Sequence, residues 1–167
     1  MRSPRRTKVD LMAAGVLAAL LVAAPAHAAV LVVDDDNVAC VPGAAFHTIN
    51  AALAVAEVKD ELRICPGVYA EQVVLTKSLT LRGLGTDIDR PIVRPTVLPV
   101  SRPSTQGAMP IAAAILVDAA RVTLEGLEVD LGAATIAGCS PIIAGIYLRN
   151  ASGELSGMTV TLSLIHI

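Results

Sequence analysis

The chain has 167 residues, 54% of them hydrophobic but only 2% aromatic, with no tryptophan and a formal net charge of −2. A mildly acidic chain without a basic patch excludes the electrostatic footprint of a nucleic-acid binder. With Phe46, Tyr69 and Tyr147 as its only aromatic residues, it also excludes an aromatic core or a stacking platform for sugar rings. Short strands filled by Val, Ile, Leu and Ala need neither, because each layer packs mainly on its neighbours.

The first 28 residues read as a secretory signal peptide. Arg2, Arg5, Arg6 and Lys8 form a basic head, Leu11 to Ala24 an apolar run, and Ala26-His27-Ala28 a small-x-small cleavage site. The run is shorter than the roughly 20 residues that span a bilayer, and no later segment is long enough, so no membrane association is expected after cleavage. The Arg5-Arg6 pair leaves the twin-arginine route open beside the general one. Export from a bacterium follows, to the medium or the cell surface. Cleavage after Ala28 leaves Ala29 to Thr161 with 9 Lys+Arg against 14 Asp+Glu.

Val30 to Val33 is a β-rich run that ends in the polar cluster Asp34-Asp35-Asp36-Asn37. Adjacent aspartates alternate across a strand, so at most two share a face; Asp34 and Asp36 are the pair that could offer oxygens to Ca²⁺. Phe46, Ile49, Leu53 and Ala56 recur at helical spacing and predict a helix over residues 48–58. One helix ahead of a run of strands suits a cap over an open first layer. Of three cysteines in an exported chain, Cys40 and Cys65 flank this helix and are the expected disulfide pair. Cys139 is left over, either a small buried apolar residue or half of another bridge. No histidine stands at ligand spacing from a cysteine, which speaks against a zinc site.

Short strands follow at Leu62 to Cys65, Gln72 to Leu75 and Leu79 to Arg82, with a tight turn at Pro66-Gly67. Residues 87–110 hold five of the ten prolines. Proline cannot donate to a strand ladder, so this stretch is expected to be a projecting loop with at most a brief strand at Ile92 to Arg94.

Three stretches repeat one unit: Val73 to Gly85, Val117 to Val129 and Leu148 to Val160, aligned on Gly83, Gly126 and Gly157. The second and third lie 31 residues apart and the first 43 residues before the second. A unit too short to bury its own apolar face, recurring at such spacing, is the signature of a solenoid. The alignment stacks Asp118 with Leu75 and Arg149, Arg121 with Ser78 and Ser152, and Glu125 with Arg82 and Ser156. It predicts ion pairs Asp118 with Arg149 and Arg82 with Glu125, and no convergence of acids, or of an acid with a base, that would make an active site. Leu162 to Ile167, LSLIHI, reads as the translation of a transposase adapter from a sequencing library, which would end the natural frame inside the third copy.

Phe46-His47-Thr48-Ile49-Asn50-Ala51-Ala52, then Ile64-Cys65-Pro66-Gly67-Val68-Tyr69-Ala70-Glu71-Gln72-Val73, then Ser78-Leu79-Thr80-Leu81-Arg82-Gly83 resemble the opening of right-handed parallel β-helix proteins of the pectin lyase-like superfamily, pectin methylesterases included. The likeness covers about residues 32–87 well and the rest through the repeats. It implies an all-β solenoid, a right-handed parallel β-helix with an N-terminal capping α-helix over residues 29–161. That opening serves lyases, esterases, epimerases and adhesins alike, so it is specific for fold and not for activity. Tyr69 is expected across the outer face with its hydroxyl in solvent, and Glu71 as an acceptor at a strand start, both structural. The aspartates, arginine and glutamines of pectin methylesterases lie, by resemblance, beyond the third turn, and their motifs are absent here. Catalytic residues therefore stay unknown. The expected function is an extracellular or cell-surface binding or structural scaffold, with extracellular polysaccharide as the partner it could take. The alternative is a lyase, esterase or epimerase of uronate polymers whose catalytic turns follow residue 161.

Overall fold

A computed structural model describes residues 27–161 apart from 37, 39, 42, 43, 101, 106, 108, 133 and 137–140. The expected signal sequence through residue 26, Cys139 and residues 162–167 lie outside the described residues. The elements in chain order are β1 (Val30–Val33), α1 (Ile49–Val55), β2 (Glu61–Ile64), β3 (Val68–Tyr69), β4 (Val73–Leu75), β5 (Thr80–Gly83), β6 (Ile92–Val93), β7 (Val97–Leu98), β8 (Arg102–Pro103), β9 (Pro110–Asp118), β10 (Arg121–Glu125), β11 (Glu128–Asp130), β12 (Thr135–Ile136), β13 (Ile142–Arg149), β14 (Ser152–Ser156) and β15 (Thr159–Thr161).

The described residues are thus mostly β, with parallel sheets and one helix. The first sheet runs β1-β2-β5-β10-β14, the second β3-β6-β11-β15 and the third β4-β9-β13, with a small β7-β12 pair beside them. The chain visits the three sheets in the same order on each pass: β2, β3, β4; then β5, β6, β9; then β10, β11, β13; then β14 and β15. Every pairing between passes is parallel. Leu62, Leu81 and Leu124 stand in one ladder and are fully buried, as are Val93 and Val129 in another. The inward apolar side chains of the earlier passes join in one core, Ile111, Ala113 and Leu116 of β9 form a second small cluster, and the strands of the last pass stay exposed.

The first stretch of the repeat spans the end of one pass, β2 to β4, and the start of the next. The 31-residue register holds through Arg149 opposite Asp118 and Ser152 opposite Arg121. Leu75, by contrast, pairs with Val117 and not with Asp118. The extra residue between β9 and β10 is Ala119, which takes a left-handed backbone at φ 56, matched one pass later by Asn150 at φ 48. Such an insertion shifts the register by one before Thr123 pairs again with Thr80.

Helix α1 is shorter than the sequence predicts. Thr48 is its cap, accepting from the Ala51 N–H through Oγ1 at 3.1 Å. Glu71 then takes the free N–H groups of Ile49 and Asn50 at 2.7 and 2.9 Å, which places a carboxylate at the positive end of the helix dipole. At the other end Lys77 Nζ donates to the carbonyls of Leu53 and Ala56 at 3.3 and 2.5 Å. Asp60, 5% exposed, accepts from the Glu57 and Ala29 N–H groups, both at 2.7 Å. These bonds turn the chain after Val55, so residues 56–58 are not helical. Ile49, Ala52 and Ala56 face the core, and α1 packs on β1, β2 and β4.

Residues 87–110 are not simply a projecting loop. Strand β6 pairs with β3 and β11, β7 with β12, and β8 runs antiparallel to β9. Three of the prolines flank these strands, Pro91 before β6 and Pro95 and Pro99 after β6 and β7, while Pro103 ends β8 and Pro110 opens β9. Pro91 and Pro95 are buried. Two-residue strands bounded by proline keep their ladder donors, such as the N–H groups of Ile92 and Arg94, which reach Gly67 and Tyr69 at 2.9 Å.

Candidate functional site

Alternation on the first sheet turns Leu62, Leu81, Val122 and Leu124 inward and puts Glu61, Arg63, Thr80, Arg82, Arg121, Thr123 and Glu125 on the outer face. Charges at matching ladder positions then meet. Arg82 lies 2.9 Å from Glu125 and 3.6 Å from Glu61, which also holds Arg63 at 2.9 Å. On the third sheet Asp118 binds Arg149 at 2.7 Å and Arg102 of β8 at 3.3 Å. Arg94 binds Asp130 at 2.8 Å, and Arg90 binds Asp87. The two ion pairs expected from the repeat alignment therefore form, each inside a larger cluster.

With Lys77 on the helix carbonyls, two cations are left without an anionic partner among the described residues: Lys59 and Arg121. Both line one shallow groove on the outer face of the first sheet. Arg121 and Thr123 of β10 are shared between its two halves, one running past Ser152 and Glu154 of β14, the other past Thr80, Ser78 and Lys59. Ser78 Oγ accepts the Arg121 N–H at 2.9 Å, and Ser152 pairs with Arg121 in the ladder. Lys59 is exposed on a left-handed turn at φ 78, a backbone that a non-glycine residue adopts only where its surroundings impose it; its N–H is held by the Ser78 carbonyl at 2.6 Å. The groove offers two cationic donors, four hydroxyls and one carboxylate on an open rigid surface. It can hydrogen-bond a long hydroxylated or anionic ligand; no acid and base face each other across a closed cleft.

The second cluster sits where β1 ends. The chain leaves the strand after Val33 and bends, so the constraint of strand alternation no longer applies to the aspartates. One carboxylate oxygen from each of Asp34, Asp35 and Asp36 lies within 4.8 Å of the others. The expectation that at most two could converge is corrected. Asp35 Oδ2 accepts the Val68 N–H at 2.9 Å, and a Cβ on Gly67 would run into the Asp35 carboxylate. Asp36 Oδ1 accepts from Val38 at 2.7 Å. Asp34 is 1% exposed. The Cys40–Cys65 disulfide, with Cα atoms 5.7 Å apart, fastens the same corner.

The chain matches no family model and no curated protein. The reading of both clusters accordingly rests on their own chemistry.

Tyr69 is buried beneath the aspartates, 2% exposed, and not spread over the outer face. The Pro66-Gly67 turn sets Val68 outward and Tyr69 inward, and its hydroxyl donates to the Cys65 carbonyl at 2.9 Å. Burial pushes the phenol far above its ordinary pKa, and the charges of Asp35 and Asp34 push it further. The fold thus holds the protonated phenol. Its contribution is complete below about pH 10, where the unfolded phenol titrates, and falls as pH rises above that value. Tyr69→Phe is expected to cost about 1 kcal/mol at neutral pH and to flatten the alkaline limb of a stability–pH curve measured by urea unfolding. An unchanged limb would remove Tyr69 as its cause.

Sequence reasoning missed Lys59 altogether. The repeat alignment did stack Arg121 with Ser78 and Ser152, but a search for acid–base pairs has no reason to stop at one cation among hydroxyls.

Proposed function

We propose that this is an exported right-handed parallel β-helix with α1 as its cap, an extracellular or cell-surface scaffold that binds acidic polysaccharide along the Lys59–Arg121 groove. The observation that carries this reading is the segregation of charge: among the described residues the other arginines are paired with carboxylates and Lys77 with helix carbonyls, while Lys59 and Arg121 stand among hydroxyls. A row of outward side chains repeating at the spacing of stacked strands, about 4.8 Å, suits a polymer better than a compact molecule. Electrostatic attraction to carboxylates and hydrogen bonds to hydroxyls would both contribute. Repeated passes through three parallel sheets support the β-helix, as does the family-like opening. No described helix is long and apolar enough to cross a membrane.

Cleavage after Ala28 fits the same reading. It would turn the Ala29 N–H, 2.7 Å from Asp60 Oδ1, into an ammonium against a buried carboxylate, a stronger charge-assisted bond.

Affinity electrophoresis of the full chain in gels containing polygalacturonate or dextran tests the function. Retardation is expected in polygalacturonate alone, weakened at least about tenfold in Lys59→Ala/Arg121→Ala and by salt. Equal mobility in both gels would sink the binding reading. Release of unsaturated uronate or of methanol from pectin by the wild-type chain would replace the scaffold with an enzyme.

A further inference from the structure

We propose that Asp34, Asp35 and Asp36 form a structural calcium site that ties the end of β1 to the Pro66-Gly67 turn. Three carboxylates with oxygens within 4.8 Å of one another repel strongly, and no lysine, arginine or histidine among the described residues forms an ion pair with any of them. His47 Nδ1 meets the backbone carbonyl of Asp34 at 3.1 Å and not its carboxylate. Acidic clusters on surfaces are common without an ion, and the deciding observation is a different one. Asp34 is 1% exposed, and its Oδ2 has no hydrogen-bond partner; Asp35 Oδ1, also buried, has none. Backbone donors already occupy the other oxygens of these two residues: Asp34 Oδ1 takes the Asp36 N–H at 3.4 Å and Asp35 Oδ2 the Val68 N–H at 2.9 Å. What remains is a buried Asp34 oxygen with unused lone pairs, and an Asp35 Oδ1 packed against Gly67, in a cluster whose third carboxylate reaches solvent. Leaving buried carboxylate oxygens unpartnered is costly, and a cation bound within the cluster would relieve that cost.

The donor set decides the ion. All ligands are carboxylate oxygens and the neighbouring cysteines are joined to each other, which disfavours zinc and other soft or borderline metals. Calcium accepts an irregular set of six to eight oxygens with water completing the open side, whereas magnesium demands a near-ideal octahedron. Asp36 is exposed and leaves that open side. Through Asp35 the ion would fix the turn that orients Tyr69 and Cys65, so its effect is on the stability of the N-terminal passes and not on the groove.

The test is calorimetric titration of CaCl2 into the chelator-treated full chain, with melting curves in Ca²⁺, in Mg²⁺ and in EDTA. One site per chain and a Tm raised by Ca²⁺ above the value in equimolar Mg²⁺ are expected. Asp36→Asn keeps the acceptor for the Val38 N–H while removing one ligand charge on an exposed residue, so its folding is not at issue; it should weaken binding roughly tenfold or more. No saturable heat and no calcium-specific Tm shift in the wild-type chain would overturn the site, as would an Asp36→Asn variant that binds as tightly, or a Tm that Mg²⁺ raises equally.

Discussion

Gly83→Ala is expected to abolish cooperative folding or to cost at least about 3 kcal/mol, beyond the usual range for a single added methyl group. The repeat aligns Gly83, Gly126 and Gly157 as one position, but three different circumstances hold them. A Cβ on Gly83 would fall on the carbonyl oxygen of Gly126, with the Gly126 carbonyl carbon at 2.9 Å and Pro91 Cγ at 2.8 Å. Backbone of one pass there meets backbone of the next, and neither can rotate aside. Gly126 is left-handed at φ +64, and its Cβ would stand 3.3 Å from the Gly83 carbonyl oxygen, so Gly126→Ala should cost about 1–2 kcal/mol. At Gly157, φ +58, the nearest atom is 3.6 Å away, which leaves only the conformational penalty. Denaturant unfolding of the three variants should rank them in that order. A Gly83→Ala protein within 1 kcal/mol of wild type would mean that the passes do not approach as closely as described.

The same three glycines show what the sequence reveals and where it stops. Their recurrence marks the boundary between the first and second sheets, and the apolar residues around them identify the inward ladders, because stacking forces equivalent positions onto each other. That is why the Asp118–Arg149 and Arg82–Glu125 pairs are legible beforehand. Features without periodicity are not. Ala119 carries no mark of a left-handed residue; only Asn150, one pass later, hints at it, since asparagine tolerates that backbone. Tyr69 could be placed on either face until the turn before it was known. Pro91, Pro95 and Pro99 signal interruption correctly but cannot say that the interruptions fall between strands. For the aspartates, strand alternation was the wrong rule, because the strand ends one residue before them.

Removing the disulfide should produce the second large effect, and a localised one. Cys40 and Cys65 are 25 residues apart, and opening a loop of that size should cost about 3 kcal/mol in the chain-entropy account. The loop contains α1, whose 7 residues are too few to form a stable helix alone. The helix survives because Thr48, Glu71 and Lys77 saturate its ends and because the bridge keeps β1 and β2 adjacent while they do so. Glu71 and Lys77 lie outside the loop, beyond Cys65, so their bonds to α1 depend on the loop being docked. In Cys40→Ala/Cys65→Ala, hydrogen exchange at the α1 amides should therefore accelerate first. The ladder amides between β5 and β10, buried among later passes, should keep most of their protection. Uniform loss of protection across both regions would show that the N-terminal corner and the stacked passes unfold as one unit. Unchanged protection of α1 would show that its end contacts hold it without the bridge. Wild-type protein under reductant should match the double variant, which separates the loss of the bond from the loss of two sulfur atoms in the packing around Cys65.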